Sequence, residues 1–164
     1  FRFYLSFPVV QPEKESQNEE CVQRTKQDLK EDKPLRGYHI LLAEDNEINM
    51  EIAQFYLEEA GAKVEKAWNG QEAVALFSQN PAGSFDAILM DIVMPKMDGF
   101  EAARQIRRVS HKDAQMIPII AMSAKDARED MDACKEAGMN DYLAKPVEPQ
   151  RLYQVLAEYL ENPM

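Results

Sequence analysis

The sequence predicts an α/β protein built on an open, doubly wound parallel sheet. From Tyr38 onward, apolar runs of strand length alternate with segments of helical periodicity, which is the pattern of β/α units joined by right-handed crossovers. The span they occupy, about 125 residues, is too short to close an eight-stranded barrel, so the sheet stays open. Four of the runs also stop at a polar residue able to do chemistry. HILLA (39–43) stops at Glu44-Asp45, FDAILM (85–90) at Asp91, IPIIAM (117–122) at Ser123, and YLA (142–144) at Lys145.

HILLA is continuously apolar, as expected of a strand buried on both faces. Asn46 can cap the following helix, in which Ile48, Ile52, Phe55 and Leu57 are expected to form the apolar side and Gly61 the end. AKVEKA (62–67) alternates and reads as a strand near a sheet edge, and Asn69-Gly70 turns into a helix carrying Ala73, Val74 and Phe77 before Pro81. FDAILM is the most buried-looking strand. After a loop from Asp91 to Gly99 comes a helix with Ala102, Ala103 and Ile106, then the IPIIAM strand and a helix over 126–137 closed by Gly138. NDYLA is the last strand, and Leu152, Val155, Leu156 and Tyr159 mark the last helix over 148–160.

Ahead of this body, Phe1, Phe3, Leu5 and Phe7 alternate on one face of a strand (1–8) with no hairpin partner nearby, and residues 9–36 are polar and charged, as in a linker. The body itself is expected over 37–162. An orphaned aromatic strand is expected to pair with a neighbouring chain, giving a dimer through residues 1–7, or to pack on the body.

A chain of 164 residues with 45% hydrophobic and 29% charged residues is ordinary for a globular protein. Its net charge of −10 argues against a nucleic-acid-binding surface. No apolar stretch reaches the roughly 20 residues needed to span a bilayer. Cys21 and Cys134 have neither metal-type spacing nor local partners, which suits reduced thiols in the cytoplasm.

In open α/β sheets the functional cleft lies beyond the carboxyl ends of the strands. Glu44, Asp45 and Asp91 would crowd together there, repelling one another unless a hard cation intervened. Mg²⁺ suits a few carboxylates, waters and a phosphate-bearing substrate. Lys145 suits a phosphoryl oxygen as a compact positive charge, and Ser123 offers a hydroxyl to another. Asp91, after the most buried strand, is the expected nucleophile toward phosphorus. His39 and His111 read as incidental. A stand-alone phosphatase of the aspartate-nucleophile kind would carry a second Asp two residues on, where this chain has Val93.

LLAEDNEINM, DAILMDIVMPKMDGFEAARQIR, IPIIAMSA and AGMNDYLAKPV together resemble the receiver (response-regulator) domain of two-component phosphorelay signalling. The resemblance implies a flavodoxin-like (βα)5 sheet in the order 2-1-3-4-5, an order of which a receiver protein is a standard example. It implies that Asp91 accepts phosphate from the phosphohistidine of a histidine kinase, and that the receiver catalyses its own phosphorylation and dephosphorylation there. Metal ligands would be Asp45, Asp91, Glu44 mostly through water, and the Val93 carbonyl. Ser123 and Tyr142 would be switch residues, and Lys145-Pro146 a cis peptide bond. Phosphorylation would then alter the surface around the fourth helix, last strand and last helix. Val93 and Lys125 occupy positions that tune phosphoryl lifetime, and a non-polar Val93 implies slow autodephosphorylation.

FRFYLSFPV resembles the final strand of the ATP-binding domain of a sensor histidine kinase, just ahead of an attached receiver. That implies a fragment of a hybrid kinase, cytoplasmic even where its parent is anchored in a membrane, with a histidine-phosphotransfer domain as a further partner. The alternative is a receiver-like interaction module that is never phosphorylated.

Overall fold

The computed structural model of the chain describes residues 33–124 and 127–161. The alternating segment 1–7, the linker up to residue 32, Cys21 and Lys125 lie outside the described residues. Five strands alternate with five helices among those described: β1 (His39–Ala43), α1 (Glu47–Glu59), β2 (Lys63–Ala67), α2 (Gly70–Gln79), β3 (Ala87–Asp91), α3 (Gly99–Arg108), β4 (Ile119–Ser123), α4 (Ala127–Glu136), β5 (Asp141–Ala144) and α5 (Pro149–Leu160). Every strand pair is parallel, and the order is β2-β1-β3-β4-β5, as the resemblance implies.

Alternation along the central strands divides the core in two. Leu41 and Ala43, Ile88 and Met90, and Ile119 and Ala121 point to the face that buries Phe77 of α2, Ala102 and Ile106 of α3 and Cys134 of α4. Ile40 and Leu42, Ala87 and Leu89, and Ile120 and Met122 point to the opposite face, against Met50 and Leu57 of α1 and Leu152 and Leu156 of α5. Because β1, β3 and β4 are covered on both sides, they read as unbroken apolar runs. Strand β2 at the edge has an exposed Lys63 and Lys66 and half-buried Val64 and Glu65, which accounts for its weaker pattern.

Helix α1 departs from expectation. Its buried residues are Met50, Ala53 and Leu57, whereas Ile48, Ile52 and Phe55 are 67%, 42% and 59% exposed. The helix carries two apolar stripes at helical spacing, and the one with the smaller side chain at its centre faces the sheet. Ala53 lets α1 lie close, which the bulkier Ile52 and Phe55 would prevent.

Leu35, within the stretch read as linker, is fully buried on the α1/α5 side, and its N–H donates to the Ala60 carbonyl at 2.9 Å. Pro34 to Gly37 form a turn that brings the chain into β1.

The loops at the amino ends of β4 and β5 are tied by one half-buried cation. Arg107 on α3 donates to the carbonyls of Gly138 and Ala114 at 2.8 and 2.7 Å and to Asn140 Oδ1 at 2.9 Å. Burial lowers the guanidinium pKa, yet it stays charged at any ordinary pH. Asn140 Oδ1 also accepts from the Ile119 N–H, and its carbonyl accepts from the Tyr159 hydroxyl. The amino end of β5, which leads to Tyr142 and Lys145, is therefore fixed from three elements.

Candidate functional site

The carboxyl edge of the sheet brings together four residues from three strand ends. Glu44 follows β1 directly and is held at its root by its own N–H, which donates to the Ala67 carbonyl. Its side chain is buried. Oε1 accepts from the Asn46 N–H at 3.2 Å and from Asn49 Nδ2 at 3.3 Å, and Oε2 lies 2.6 Å from Lys145 Nζ. Lys145 Nζ also lies 2.7 Å from Asp91 Oδ2, so one ammonium bridges two carboxylates. Asp91 is buried at the end of β3, and its Oδ1 accepts from the Val93 N–H at 3.1 Å.

Asp45 is exposed, but one oxygen each from Glu44, Asp45 and Asp91 lies within 4.8 Å of the others. Three hard oxygen donors on rigid strand ends, beside a solvent-facing mouth, fit a Mg²⁺ ion that keeps several waters. Burial raises the Glu44 pKa, and although the bond to Lys145 opposes this, Asp91 reinforces it. Burial alone would lower the Lys145 pKa, but its bonds to Asp91 and Glu44 outweigh that and hold it above the usual lysine value.

Lys145 is aimed by the end of β5. Its backbone N–H donates to the Ser123 carbonyl at 2.7 Å, and the Lys145–Pro146 peptide bond is cis. Ser123 is buried at the end of β4 and lines a cleft of about 380 Å³ with Val93, Met94, Asp98, Phe100 and Ala124. Val93 lines that cleft with 73% of its surface exposed. Tyr142 pairs with Ala121 in the sheet, and its half-buried side chain packs on the α2–α4 side.

The loop after Asp91 is pinned on both sides. The Gly99 N–H donates to the Ile92 carbonyl, and the Gly70 N–H to the Met97 carbonyl, joining the loop to the start of α2. Gly99 is required by space rather than by an unusual φ. A Cβ built there would stand 2.2 Å from the Asp91 carbonyl oxygen. The left-handed residue of this loop is Lys96, with φ of 66°.

His39 and His111 take structural roles away from these residues. His39 Nδ1 bonds the Ser84 carbonyl at 2.6 Å, and His111 Nε2 bonds the Asn80 carbonyl at 3.0 Å. The residue that sequence reasoning missed is Asn49. Its place three after the helix cap, in EDNEIN, is the signal that would have found it.

A five-stranded 2-1-3-4-5 sheet with this edge is that of a receiver. The response regulator receiver domain family matches residues 40–157, and the chain belongs to it. Among curated relatives, Hybrid signal transduction histidine kinase L of Dictyostelium discoideum is 36% identical over 124 residues, covering 75% of this chain and 7% of that protein. Peroxide stress-activated histidine kinase mak1 of Schizosaccharomyces pombe is 36% identical over 125 residues, covering 76% of this chain and 8% of its own. The chain thus spans less than a tenth of either kinase.

Among solved structures, the receiver domain of a sensor histidine kinase from Pseudomonas aeruginosa, with a magnesium ion coordinated in its active-site cleft, is 36% identical with a TM-score of 0.69. The match covers 77% of this chain and 99% of that one. The receiver domain of Saccharomyces cerevisiae Ssk1, solved together with the histidine phosphotransfer signaling protein Ypd1, gives 31% identity and a TM-score of 0.67. There the match covers 77% and 90%. No helix among the described residues is long and apolar enough to cross a membrane.

Proposed function

We propose that this receiver domain takes a phosphoryl group from a phosphohistidine onto Asp91 with Mg²⁺, as part of a hybrid histidine kinase in a phosphorelay. The observation that carries this reading is the Lys145 ammonium bridging Glu44 and Asp91, with the Asp45 carboxylate beside them. A strand-end carboxylate that can reach phosphorus, flanked by a fixed cation, is what in-line phosphoryl transfer requires.

An Asp91 carboxylate oxygen attacks phosphorus, and the bond from phosphorus to the donor histidine nitrogen breaks. The electron pair returns to the imidazole, and an aspartyl phosphate remains on Asp91. Glu44, Asp45, Asp91 and the Val93 carbonyl would hold the Mg²⁺, which when bound neutralises charge on the phosphoryl oxygens. Lys145 supplies a second positive charge to those oxygens, and the Ser123 hydroxyl hydrogen-bonds another. Tyr142 responds to Ser123 and changes the surface around α4, β5 and α5.

A partner must bring its histidine to this edge. The apolar stripe of Ile48, Ile52 and Phe55 lies on the helix that starts beside Glu44 and Asp45. It continues into a small cleft lined by Asn49, Ile52, Pro146 and Val147 next to Lys145. Exposed side chains of this size, contiguous with the acidic edge, suit docking of a histidine-phosphotransfer protein or the histidine-bearing part of a kinase. In this reading residues 1–8 are the last strand of an ATP-binding domain, 9–36 are a linker whose Leu35 is buried against the receiver over 37–162, and the compartment is the cytoplasm.

Incubation with Mg²⁺ and acetyl phosphate, followed by intact-mass measurement, tests the reading. A single phosphoryl gain in the wild type, absent in Asp91→Asn, is the expected result. No gain in the wild type would leave a module that acts through its surface alone.

A further inference from the structure

The geometry points to Asn49 as a positioning residue for the metal site: its side-chain amide locks the Glu44 carboxylate in the orientation that faces Lys145 and Asp91. The inference rests on the reading of Glu44, Asp45 and Asp91 as Mg²⁺ ligands.

Asn49 stands at the third position of α1, after the cap Asn46 and residues Glu47 and Ile48. At that position a Glu or Gln commonly reaches back to accept the N–H of the cap residue. Here the roles are redistributed. The cap N–H of Asn46 is taken by Glu44 Oε1 at 3.2 Å, and Asn49 contributes a donor to the same oxygen at 3.3 Å. The Asn49 backbone N–H donates to Asn46 Oδ1 at 3.1 Å, so capping of the helix does not need the Asn49 side chain at all. The side chain is thus left with one described polar partner, the buried carboxylate.

The consequence for Glu44 is geometric. With two donors on Oε1, rotation of the carboxylate about its last bond would break both contacts. Oε2 therefore stays on Lys145, 2.6 Å away. Outer groups that orient a metal-binding side chain commonly change metal affinity by roughly 10- to 100-fold when removed. Asn49 is exposed and its bond is long, which places it at the low end, about tenfold. An Asp or Glu at this position would offer no donor and would add another negative charge to the mouth.

The test is a MgCl₂ titration of the chain by calorimetry, comparing wild type with Asn49→Ala, alongside thermal melts without metal. Ala keeps the helix, being the best helix former, and the Asn46 cap is retained. The expected result is a Mg²⁺ dissociation constant raised about tenfold with an unchanged or higher metal-free Tm. In phosphorylation by acetyl phosphate, the half-saturating Mg²⁺ should rise by a similar factor while the rate at saturating Mg²⁺ recovers. A wild type that binds Mg²⁺ with an Asn49→Ala constant within about twofold overturns this inference and leaves the proposed function standing. A wild type that binds no Mg²⁺ overturns both. Weaker binding with a matching fall in metal-free Tm would make Asn49 a stability residue and also overturn it.

Discussion

Lys145 Nζ lies 2.7 Å from Asp91 Oδ2, and the same ammonium lies 2.6 Å from Glu44 Oε2. One cation thereby offsets much of the charge on two buried carboxylates. Removing one member of a buried pair is costly because the remaining charges are uncompensated, by about 3–5 kcal/mol when burial is complete. Lys145 has a side chain 16% exposed, so Lys145→Met should cost nearer the lower figure, about 3 kcal/mol. If Glu44, Asp45 and Asp91 hold Mg²⁺ as proposed, the ion would replace the lost charge and favour the folded state, so it should return much of that stability. Thermal melts of Lys145→Met in EDTA and in MgCl₂ check this. A Tm that ignores Mg²⁺ would refute it.

Gly99 is fixed by the backbone of the strand that carries Asp91. A methyl group there would meet the Asp91 carbonyl oxygen at 2.2 Å and the Ile92 Cα at 3.0 Å. Gly99→Ala should destabilise the fold by about 1–3 kcal/mol, as overpacking does, and should slow phosphorylation of Asp91 by displacing the end of β3. Gly83→Ala is the contrast. Its φ of 79° makes Ala strained by about 1–2 kcal/mol, but nothing lies within 4 Å and it is remote from the site. Urea midpoints and acetyl phosphate rates for both variants separate the effects. Equal rates would show that the Gly99 contact does not govern Asp91.

The sheet was legible because β1, β3 and β4 are covered on both faces, so burial and apolar run coincide. The acidic edge was legible for a related reason, since strand ends are visible in the sequence and the topology of a parallel sheet puts them together. Helix α1 was not. Ile48, Ile52 and Phe55 are larger than Met50 and Ala53 taken together as a stripe, and bulk was the wrong guide where close approach to the sheet favours Ala53. Leu35 was lost in a charged neighbourhood, although one Leu beside a turn suffices to anchor the entry to β1. Arg107 reads as one of several surface charges on its helix, because only tertiary structure shows three acceptors arriving from two loops. Asn49 was hidden by its neighbour, since Asn46 already accounted for the helix start.

Alkaline pH should unfold the domain earlier than the titration of exposed groups would. Burial raises the Tyr153 pKa, reinforced by Glu59, and burial with Asp141 raises that of Tyr159. Lys145 is also raised by its carboxylates. A group whose folded pKa lies above its unfolded value contributes stability fully present below the unfolded value and lost as pH rises through the folded one. The ordinary values are 10.0 for tyrosine and 10.5 for lysine, so the loss begins near pH 10 and deepens above it. Both hydroxyls are also donors, to the Tyr56 and Asn140 carbonyls, and ionisation removes them. Urea midpoints between pH 8.5 and 11, about the range where these groups titrate, should fall. The fall should be shallower in the Tyr153→Phe, Tyr159→Phe double variant. An equal slope in both proteins would exclude the two tyrosines as its source.

The exposed stripe of α1 gives the sharpest separation between chemistry and recognition. Ile48, Ile52 and Phe55 contribute little to the core, so replacing Ile52 and Phe55 by Ser should change stability by no more than about 0.5 kcal/mol each. If the stripe seats a phosphorylated protein partner, those same replacements remove apolar contact area at the docking surface. Centrally placed aromatic side chains at interfaces commonly cost about 2 kcal/mol when truncated, which is roughly thirtyfold in affinity. Acetyl phosphate is too small to touch the stripe while its phosphorus is at Asp91. The quantity to measure is therefore a ratio: transfer rate from a phosphorylated histidine-phosphotransfer protein divided by the rate from acetyl phosphate. It should fall by an order of magnitude or more in Ile52→Ser, Phe55→Ser. A ratio that stays constant while both rates fall would mean that α1 acts on the site itself, and a ratio and rates that both stay constant would place the docking face elsewhere on the domain.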